Sequence, residues 1–384
     1  MNVLVKRILK KIGRDTITFF TKIRRNRILF IQESASGSNS YALWKLAGDN
    51  IKMKYELILC QESGDEGNGF AHFVEKYRLI ASAQLIVTTH GSYKPSRKHI
   101  HLQLWHGASI KKLGVMEKER TARFQPPWER VDYIMSYSET YTTFLNACMV
   151  TDPGKYIITG APRNDFLFLS NGLSNIRKIF GDRVEGNRCI FFLPTYRDYY
   201  GKKQGDRNYD NPFGFKEFSP EKFDNFLKEK KLVVIFKPHP HEETLVLNYF
   251  QRYPLSNMLF LRDEDLAIHQ LDLYELLNAS EILITDYSSA FDDYLLLDRP
   301  IIFAPVDLDS YKKRVGFVIE SFESWVPGPK VFDQNALQTE ISRCLSEKDY
   351  YKEQRSQIRN LQHRYKDGGS SRRLWEFIDS ILAK

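Results

Sequence analysis

The sequence predicts an α/β protein with two Rossmann-like lobes. Three observations support this fold class. First, the chain has 384 residues, which is more than one simple hydrophobic core usually holds, and its 42% apolar and 14% aromatic content is enough to fill two cores. Second, short apolar runs alternate with helix-length segments from residue 27 onward, which is typical of buried parallel strands in βα units. Third, these runs form two series, separated by a polar, glycine-bearing stretch at 170–187.

The first element is a basic helix, predicted from residues 1–26. Residues 1–28 contain nine Lys and Arg residues and one acidic residue, so they carry a net charge equal to the +8 of the whole chain. Apolar residues recur there at helical spacing, at Leu4, Val5, Ile8, Leu9 and Ile12. This pattern favours a helix lying on an anionic membrane surface, and the alternative is a helix docked on the protein with a solvated basic face. Lys10 and Lys11 interrupt the apolar stretch that a secretory signal requires.

The remaining elements divide into two lobes, at 27–180 and 181–384. In the first lobe we predict strands at 28–32, 55–59, 85–88, 102–105, 133–136 and 156–159. In the second we predict strands at 189–193, 232–237, 258–261, 282–285 and 301–303. Residues 199–216 read as a long polar loop, and 336–384 as a helical segment that crosses both lobes.

Composition excludes several classes of protein. The four cysteines are far apart, with no CxxC pair and no His at metal-ligand spacing, so neither a disulfide scaffold nor a zinc module is expected. No run of 18 apolar residues occurs. Because the net positive charge is confined to one short segment, the chain lacks the broad basic face that a nucleic-acid partner would need, and no such partner is expected.

Two histidines follow predicted strands, where open α/β sheets place their ligands. His106 comes directly after the strand at 102–105 and next to Gly107, which suits a general base; the alternative is a turn histidine that bonds a local carbonyl. His239 lies between Pro238 and Pro240, which hold it in an extended conformation. It could donate to phosphate oxygens, or the loop could simply be rigid.

Hydroxyl-bearing residues follow two strands of the second lobe. Thr285, Asp286, Ser288 and Ser289 form a strand–turn–helix pattern that predicts an anion site, although either serine could be a plain helix cap. The segment 194–198 offers the hydroxyl of Thr195 and the guanidinium of Arg197. We find no P-loop, GxGxxG or GxSxG motif, and we do not interpret Asp307 and Asp309 as metal ligands.

An ordered series of short motifs resembles the CDP-glycerol glycerophosphotransferase family, the teichoic acid primases and polymerases. The series comprises WHG at 105–107, KKLG at 111–114, GAPRND at 160–165, PTYRD at 194–198, KPHP at 237–240, ITDYSS at 284–289, LDRP at 297–300, DLD at 307–309, RVGF at 314–317, PGP at 327–329 and DGGSSR at 367–372. Each motif alone is weak, but their order and spacing are specific. The chain departs from the family at Ala108 and Ser109, usually Thr-Pro, and at Tyr196.

The resemblance implies a two-lobed GT-B fold and a specific reaction. His106 would be the base that activates the acceptor, His239 the histidine beside the phosphates, and the two serines of ITDYSS would hold the pyrophosphate. The motifs also imply substrate contacts for Arg163, Lys237 and Arg372, no metal, and no cofactor, since CDP-glycerol is a substrate. The expected acceptor is an undecaprenyl-diphosphate-linked saccharide, which implies a peripheral protein on the cytoplasmic face of the bacterial membrane.

The chain lacks nearly all of the long extra region of the family's polymerases, which favours a primase-like enzyme that adds one or few units. Alternatives are a CDP-ribitol-dependent enzyme or a poly(glycerol phosphate) polymerase. More distant alternatives are a GT-B glycosyltransferase that uses a nucleotide sugar and a non-catalytic binder of nucleotides or polymers docked on the membrane.

Overall fold

Two parallel sheets form the centres of the two lobes in the computed structural model. It describes residues 3–33, 36–61, 69–91, 93–107, 110–117, 128, 130–199, 202–203, 205–207, 210–239, 242–253, 255–319 and 321–383. The strands are β1 (Arg24–Gln32), β2 (Glu56–Gln61), β3 (Ala83–Thr88), β4 (Ile100–Gln103), β5 (Tyr133–Ser136), β6 (Tyr156–Ile158), β7 (Arg188–Leu193), β8 (Asp198–Tyr199), β9 (Lys202–Lys203), β10 (Leu232–Phe236), β11 (Met258–Phe260), β12 (Ser280–Thr285) and β13 (Ile301–Phe303).

The strand order is β2-β1-β3-β4-β5-β6 in the first sheet and β11-β10-β7-β12-β13 in the second. Every neighbouring pair in these two sheets is parallel, with registers such as Val87 opposite Leu102 and Ile284 opposite Ile302. All parallel strands therefore end at the same edge of their sheet, and His106 and Asp286 follow β4 and β12 at those edges.

Helices connect the strands and cover the sheets. They are α1 (Val3–Phe20), α2 (Asn39–Lys45), α3 (Asp49–Lys54), α4 (Phe70–Ser82), α5 (Glu139–Met149), α6 (Phe166–Leu169), α7 (Gly172–Phe180), α8 (Pro220–Glu229), α9 (Glu243–Arg252), α10 (Asp263–Ile268), α11 (Tyr274–Leu277), α12 (Ala290–Tyr294), α13 (Leu308–Arg314), α14 (Phe322–Trp325), α15 (Gln334–Ser346), α16 (Lys352–Gln362) and α17 (Ser370–Leu382).

The apolar runs are confirmed as the central strands. Residues 28–31 of β1 and all of β10 are buried, because helices cover both faces of each parallel sheet. All eleven predicted strands occur, with ends shifted by a few residues. The antiparallel pair β8–β9 begins at Asp198, one residue before the predicted loop at 199–216, and otherwise lies within it. The pair was missed because two residues per strand carry no periodic signal.

The chain crosses between the lobes twice. Phe166 and Ile176, which precede the predicted boundary at residue 180, already pack in the core of the second lobe with Phe191 and Leu283. At the other end, Leu374, Trp375 and Ile378 of α17 pack in the core of the first lobe. The predicted C-terminal crossing is confirmed.

Helix α1 packs against α4 with only part of its surface. A Cβ on Gly13 would lie 3.3 Å from the ring of Phe73, and the guanidinium of Arg14 lies 5.7 Å from the ring centre of Tyr77. Four large apolar side chains of α1 point to solvent: Leu9, Ile12, Phe19 and Phe20. Among the described residues, no helix is both long and apolar enough to cross a bilayer.

Candidate functional site

His106 lies just beyond the carboxyl end of β4, between two aromatic rings. Its ring stacks on His90 with centroids 4.2 Å apart, and Trp105 lies 3.9 Å away on the same measure. The Nδ1 atom is 3.3 Å from the carbonyl oxygen of Thr89. If Nδ1–H donates to this carbonyl, the lone pair of Nε2 is left as the basic atom of the ring.

The surroundings of His106 favour its neutral form. Burial lowers its pKa well below 6.5, and the nearby charges of His90, Arg163 and Lys111 lower it further. The hydrogen bond to Thr89 acts in the opposite direction but is outweighed. The imidazole is therefore neutral at physiological pH and able to accept a proton.

The loop that carries His90 is held by Glu33, at the end of β1. The Glu33 carboxylate accepts hydrogen bonds from the backbone N–H groups of Thr89, His90 and Gly91 at 2.6–3.2 Å. Burial raises the pKa of Glu33, but its bonds to His90 and this backbone lower it overall. Sequence reasoning missed both Glu33 and His90, because neither stands in a motif with His106.

The ITDYSS turn of the second lobe contacts the first lobe at Gly107, the residue after His106. A Cβ on Gly107 would lie 2.5 Å from the Oγ atom of Ser289, so only glycine fits between the lobes here. Ser288 and Ser289 are both half-buried, and the Ser288 hydroxyl accepts a 3.4 Å bond from Ala290 N. The predicted base of the first lobe and the predicted anion site of the second lobe are therefore adjacent.

Arg197 is buried within the second lobe. Its guanidinium donates two 2.9 Å bonds to Asp307 and lies 2.9 Å from a carboxylate oxygen of Asp286. Asp286 also accepts a 2.8 Å bond from the backbone N–H of Thr195. Arg197 could bind a ligand only if these ion pairs opened. The geometry therefore supports a structural role, in which Arg197 holds Asp286 and Asp307 in place.

The hydroxyls at this edge differ in their availability. The hydroxyl of Thr285 donates a 2.7 Å bond to the carbonyl of Leu193 and holds β12 against β7. The hydroxyl of Thr195 is buried and makes no hydrogen bond within the described part of the chain. Of the two threonines, Thr195 is the one with a hydroxyl available for a ligand.

His239 is exposed, and its ring stacks on Tyr196 with centroids 4.6 Å apart. The preceding Lys237 is buried, with its ammonium 3.0 Å from carboxylate oxygens of both Glu243 and Asp263. Lys237 therefore anchors this loop to α9 and α10, while His239 points outward. Pro240, like Ala108 and Ser109, lies outside the described residues.

The two remaining predicted arginines lie in different surroundings. Arg163 is buried between the lobes and contacts Asp293 of α12 at 2.5 Å. Arg372 is exposed on α17 and pairs with Glu376 at 2.8 Å, so the structure does not bring it to the other residues. The start of α17 binds the carboxylate of Asp165, through the N–H groups of Ser370 and Ser371 at 2.8 and 2.6 Å.

Lys111 is a further cation of the site. Its backbone pairs with Phe317 of the second lobe. Burial lowers its pKa to about 8, and the carboxylates of Asp286 and Asp292 oppose that shift. Lys111 stood in the KKLG motif but was given no role, because its position between the lobes follows from the fold and not from the motif.

The described residues contain no cluster of three or more His, Cys, Asp or Glu side chains that could hold a metal ion. The carboxylate of Asp307, in the DLD motif, is engaged by Arg197. The residues brought together are suited to proton transfer through a neutral imidazole, and to binding a phosphate through hydroxyls with Lys111 as a nearby cation.

Comparisons with known proteins identify the family and the fold. A family model described as CDP-glycerol:poly(glycerophosphate) glycerophosphotransferase matches residues 15–380. The chain is 25% identical to the teichoic acid glycerol-phosphate primase of Bacillus subtilis, over 96% of this chain and 92% of that protein. It is 30% identical to the teichoic acid ribitol-phosphate polymerase TarK of Staphylococcus aureus, over 93% of this chain and 69% of the polymerase. The solved wall teichoic acid polymerase TagF has the same fold, with a TM-score of 0.76 at 20% identity over 99% of this chain and 96% of that chain.

Proposed function

Because the chain belongs to the CDP-glycerol:poly(glycerophosphate) glycerophosphotransferase family, we propose that it transfers glycerol phosphate from CDP-glycerol to a hydroxyl of a lipid-linked saccharide. The observation that carries this proposal is the contact of His106-Gly107 of one lobe with Ser289 of the other. Similarity to a glycerol-phosphate primase over 92% of that protein supports the addition of one or few units in teichoic acid synthesis.

His106 acts as the general base in the proposed reaction. The acceptor hydroxyl donates a hydrogen bond to Nε2, and its oxygen attacks the β-phosphorus of CDP-glycerol. A bond forms between that oxygen and phosphorus, the bond from phosphorus to the oxygen of CMP breaks, and the proton passes to His106. The lowered pKa of His106 keeps the ring neutral, so the lone pair of Nε2 is available for this proton.

The second lobe stabilises the charge that develops on the leaving CMP. The hydroxyls of Ser288 and Ser289 lie next to the reacting face, and His239 is exposed beside Tyr196. Donors fixed in place before the reaction stabilise a developing phosphate charge without reorganisation. The transfer changes no oxidation state, so it requires no redox cofactor.

A donor comparison tests this function. The purified protein is incubated with a short-chain analogue of a lipid-linked disaccharide and with CDP-glycerol, CDP-ribitol or a UDP-sugar, and products are read by mass spectrometry. We expect CDP-glycerol to extend the acceptor and release CMP. Preference for CDP-ribitol would place the chain with relatives such as TarK, and transfer from the UDP-sugar alone would overturn the proposal.

Histidine variants link the activity to the site. His106→Ala should lose most turnover, since loss of a general base costs about 100- to 10,000-fold. His239→Ala should also lose most turnover, because it removes a donor to the leaving phosphate. His269, an exposed histidine at the end of α10, offers the matched control. If His106→Ala and His269→Ala were equally active, His106 would not be the base.

We further propose that α1 attaches the protein to the cytoplasmic face of the membrane. Phe19 and Phe20 are 82% and 80% exposed, and Phe70 at the start of α4 is 81% exposed. Large exposed apolar side chains beside a basic segment are typical of helices that lie in the headgroup region of anionic bilayers.

Flotation with anionic vesicles tests this attachment. Phe19→Glu combined with Phe20→Glu should abolish binding, while Phe332→Glu, at an exposed phenylalanine of the second lobe, should not. Both proteins should keep their activity on a water-soluble acceptor. Binding by the double variant equal to wild type would contradict this role of α1.

A further inference from the structure

Arg163 joins the residue that carries the proposed base to the helix that carries the proposed anion site. Its Nη1 atom donates to the carbonyl oxygens of His106 at 2.8 Å and Gly37 at 3.0 Å. Its Nη2 atom donates to Asp293 at 2.5 Å. Only 4% of the residue is exposed, so the guanidinium faces protein on all sides.

The acceptor of this arginine is itself fixed. The buried carboxylate of Asp293 also accepts bonds from Asn164 at 2.8 Å and from the hydroxyl of Tyr274 at 2.6 Å. Asp293 lies on α12, four residues after Ser289. One planar, two-pronged cation therefore sets the distance between the His106 backbone and the start of α12.

Other contacts near Arg163 depend on the distance between the His106 backbone and α12. Gly107 lies against Ser289, and the Tyr141 hydroxyl donates a 2.8 Å bond to the Gly107 carbonyl. The backbone N–H of Arg163 bonds to Asn39, whose amide donates to the carbonyl of Trp105 at 2.9 Å. Carbonyls of three consecutive residues, 105–107, are thus held by buried side chains.

We propose that Arg163 is a positioning residue for the transfer: it holds His106 in register with Ser288 and Ser289 by binding the His106 carbonyl and Asp293 together. This inference rests on the proposed function for the role of His106. It assigns to the arginine of GAPRND an action through His106 in place of the predicted substrate contact. A misplacement of about 1 Å in a catalytic group can cost roughly 100-fold in rate.

The test compares variants that separate position from stability. Arg163→Lys keeps a cation for Asp293 but loses the planar guanidinium that binds the His106 carbonyl and Asp293 at the same time. Arg163→Gln combined with Asp293→Asn removes both charges, so neither is left buried and unpaired. The control is Gln334→Ala in α15, which removes the hydrogen bonds of this buried side chain to the backbone of Ser219 and leaves the contacts of Arg163 in place.

Two quantities are measured for each folded variant: kcat and KM with CDP-glycerol, and the rate at which diethyl pyrocarbonate modifies His106, read by mass spectrometry. In both Arg163 variants, kcat should fall about 10- to 100-fold with KM for CDP-glycerol near wild type. His106 should react several-fold faster as it leaves its stack between His90 and Trp105. Gln334→Ala should lower the melting temperature and change neither quantity.

The inference is overturned if the Arg163 variants melt lower but keep the kcat and the His106 modification rate of the wild type. Arg163 would then only stabilise the fold. If the wild type itself does not use CDP-glycerol, the proposed function fails. The modification rates then decide the inference alone: faster modification supports it, and an unchanged rate overturns it.

Discussion

Substitution of Gly107 by alanine should separate the two lobes at the site. An added Cβ would lie 2.5 Å from Ser289 Oγ and 3.1 Å from Arg163 Nη2, whereas ordinary contacts begin at 3.4 Å. Either the Ser289 hydroxyl rotates away from its place in the site or the lobes move apart by up to roughly 1 Å, and a displacement of that size in a catalytic group can cost about 100-fold in turnover. Forcing a methyl group into a packed contact also costs about 1–3 kcal/mol of stability.

The assay is a double-mutant cycle with Ser289→Gly, which removes both atoms that the new methyl group would meet in that residue. Turnover and urea unfolding are measured for Gly107→Ala, Ser289→Gly and the pair. Gly107→Ala should cost less in the Ser289→Gly background than in the wild type. An equal cost in both backgrounds would refute the lobe contact.

Backbone strain needs its own control, because Gly107 has a φ of +153°. Gly181 has a φ of +58° with no atom within 4 Å of an added Cβ. Because Gly181 combines this φ with a ψ of −138°, Gly181→Ala should lose about 1–3 kcal/mol from strain alone and keep full turnover.

Three further predictions concern pH, ion pairs and donor affinity. Burial lowers the pKa of His101 to about 4 from 6.5, so between these values the unfolded chain binds a proton that the folded chain does not. The free energy of unfolding should fall by up to roughly 3 kcal/mol from pH 6.5 to pH 4, and His101→Gln should remove that part of the slope. Arg197→Met leaves two carboxylates buried without their cation, so urea unfolding should show a loss of about 3–5 kcal/mol. Ser288→Ala with Ser289→Ala should weaken CDP-glycerol binding in calorimetry by about 0.5–1.5 kcal/mol per lost hydrogen bond.

Each of these has a result that contradicts it. A wild-type slope in His101→Gln would mean that other groups carry the acid dependence. If Arg197→Met had the same free energy of unfolding as the wild type within experimental error, the ion pairs of Arg197 would contribute nothing to stability. If the serine variant bound CDP-glycerol as tightly as the wild type, the proposed position of the pyrophosphate would be wrong. Thr195, whose buried hydroxyl makes no hydrogen bond in the described part of the chain, would then be the next candidate to bind it.

The sheets could be predicted because their signal is local. A strand such as β10, with five consecutive apolar residues, is buried on both faces wherever it lies in the sheet. The positions of His106 and Asp286 at strand ends follow from the same signal. The β8–β9 pair spans only residues 198–203, but two residues per strand carry no periodic signal. The packing of α7 in the second lobe depends on contacts with distant segments, which a short sequence window does not contain.

The roles of charged side chains could not be predicted, because they depend on which partner the fold supplies. Arg163 and Arg197 stand in motifs that read as substrate contacts, yet each is buried against carboxylates from distant positions. His90 stacks on His106 only because β3 and β4 are neighbours. A sequence shows that a cation is present, and the fold decides whether it faces a ligand or a carboxylate.

The return of α17 to the first lobe has a consequence for biosynthesis. Leu374, Trp375 and Ile378 complete a core whose strands end at Ile158, and Asp165 holds the start of the helix. While the ribosome makes the second lobe, the first lobe therefore exposes an unfilled apolar site. A nascent chain cut short in the second lobe keeps that site open, and chaperones and proteases act on exposed apolar surface, so we expect such chains to have shorter lifetimes than chains that include α17.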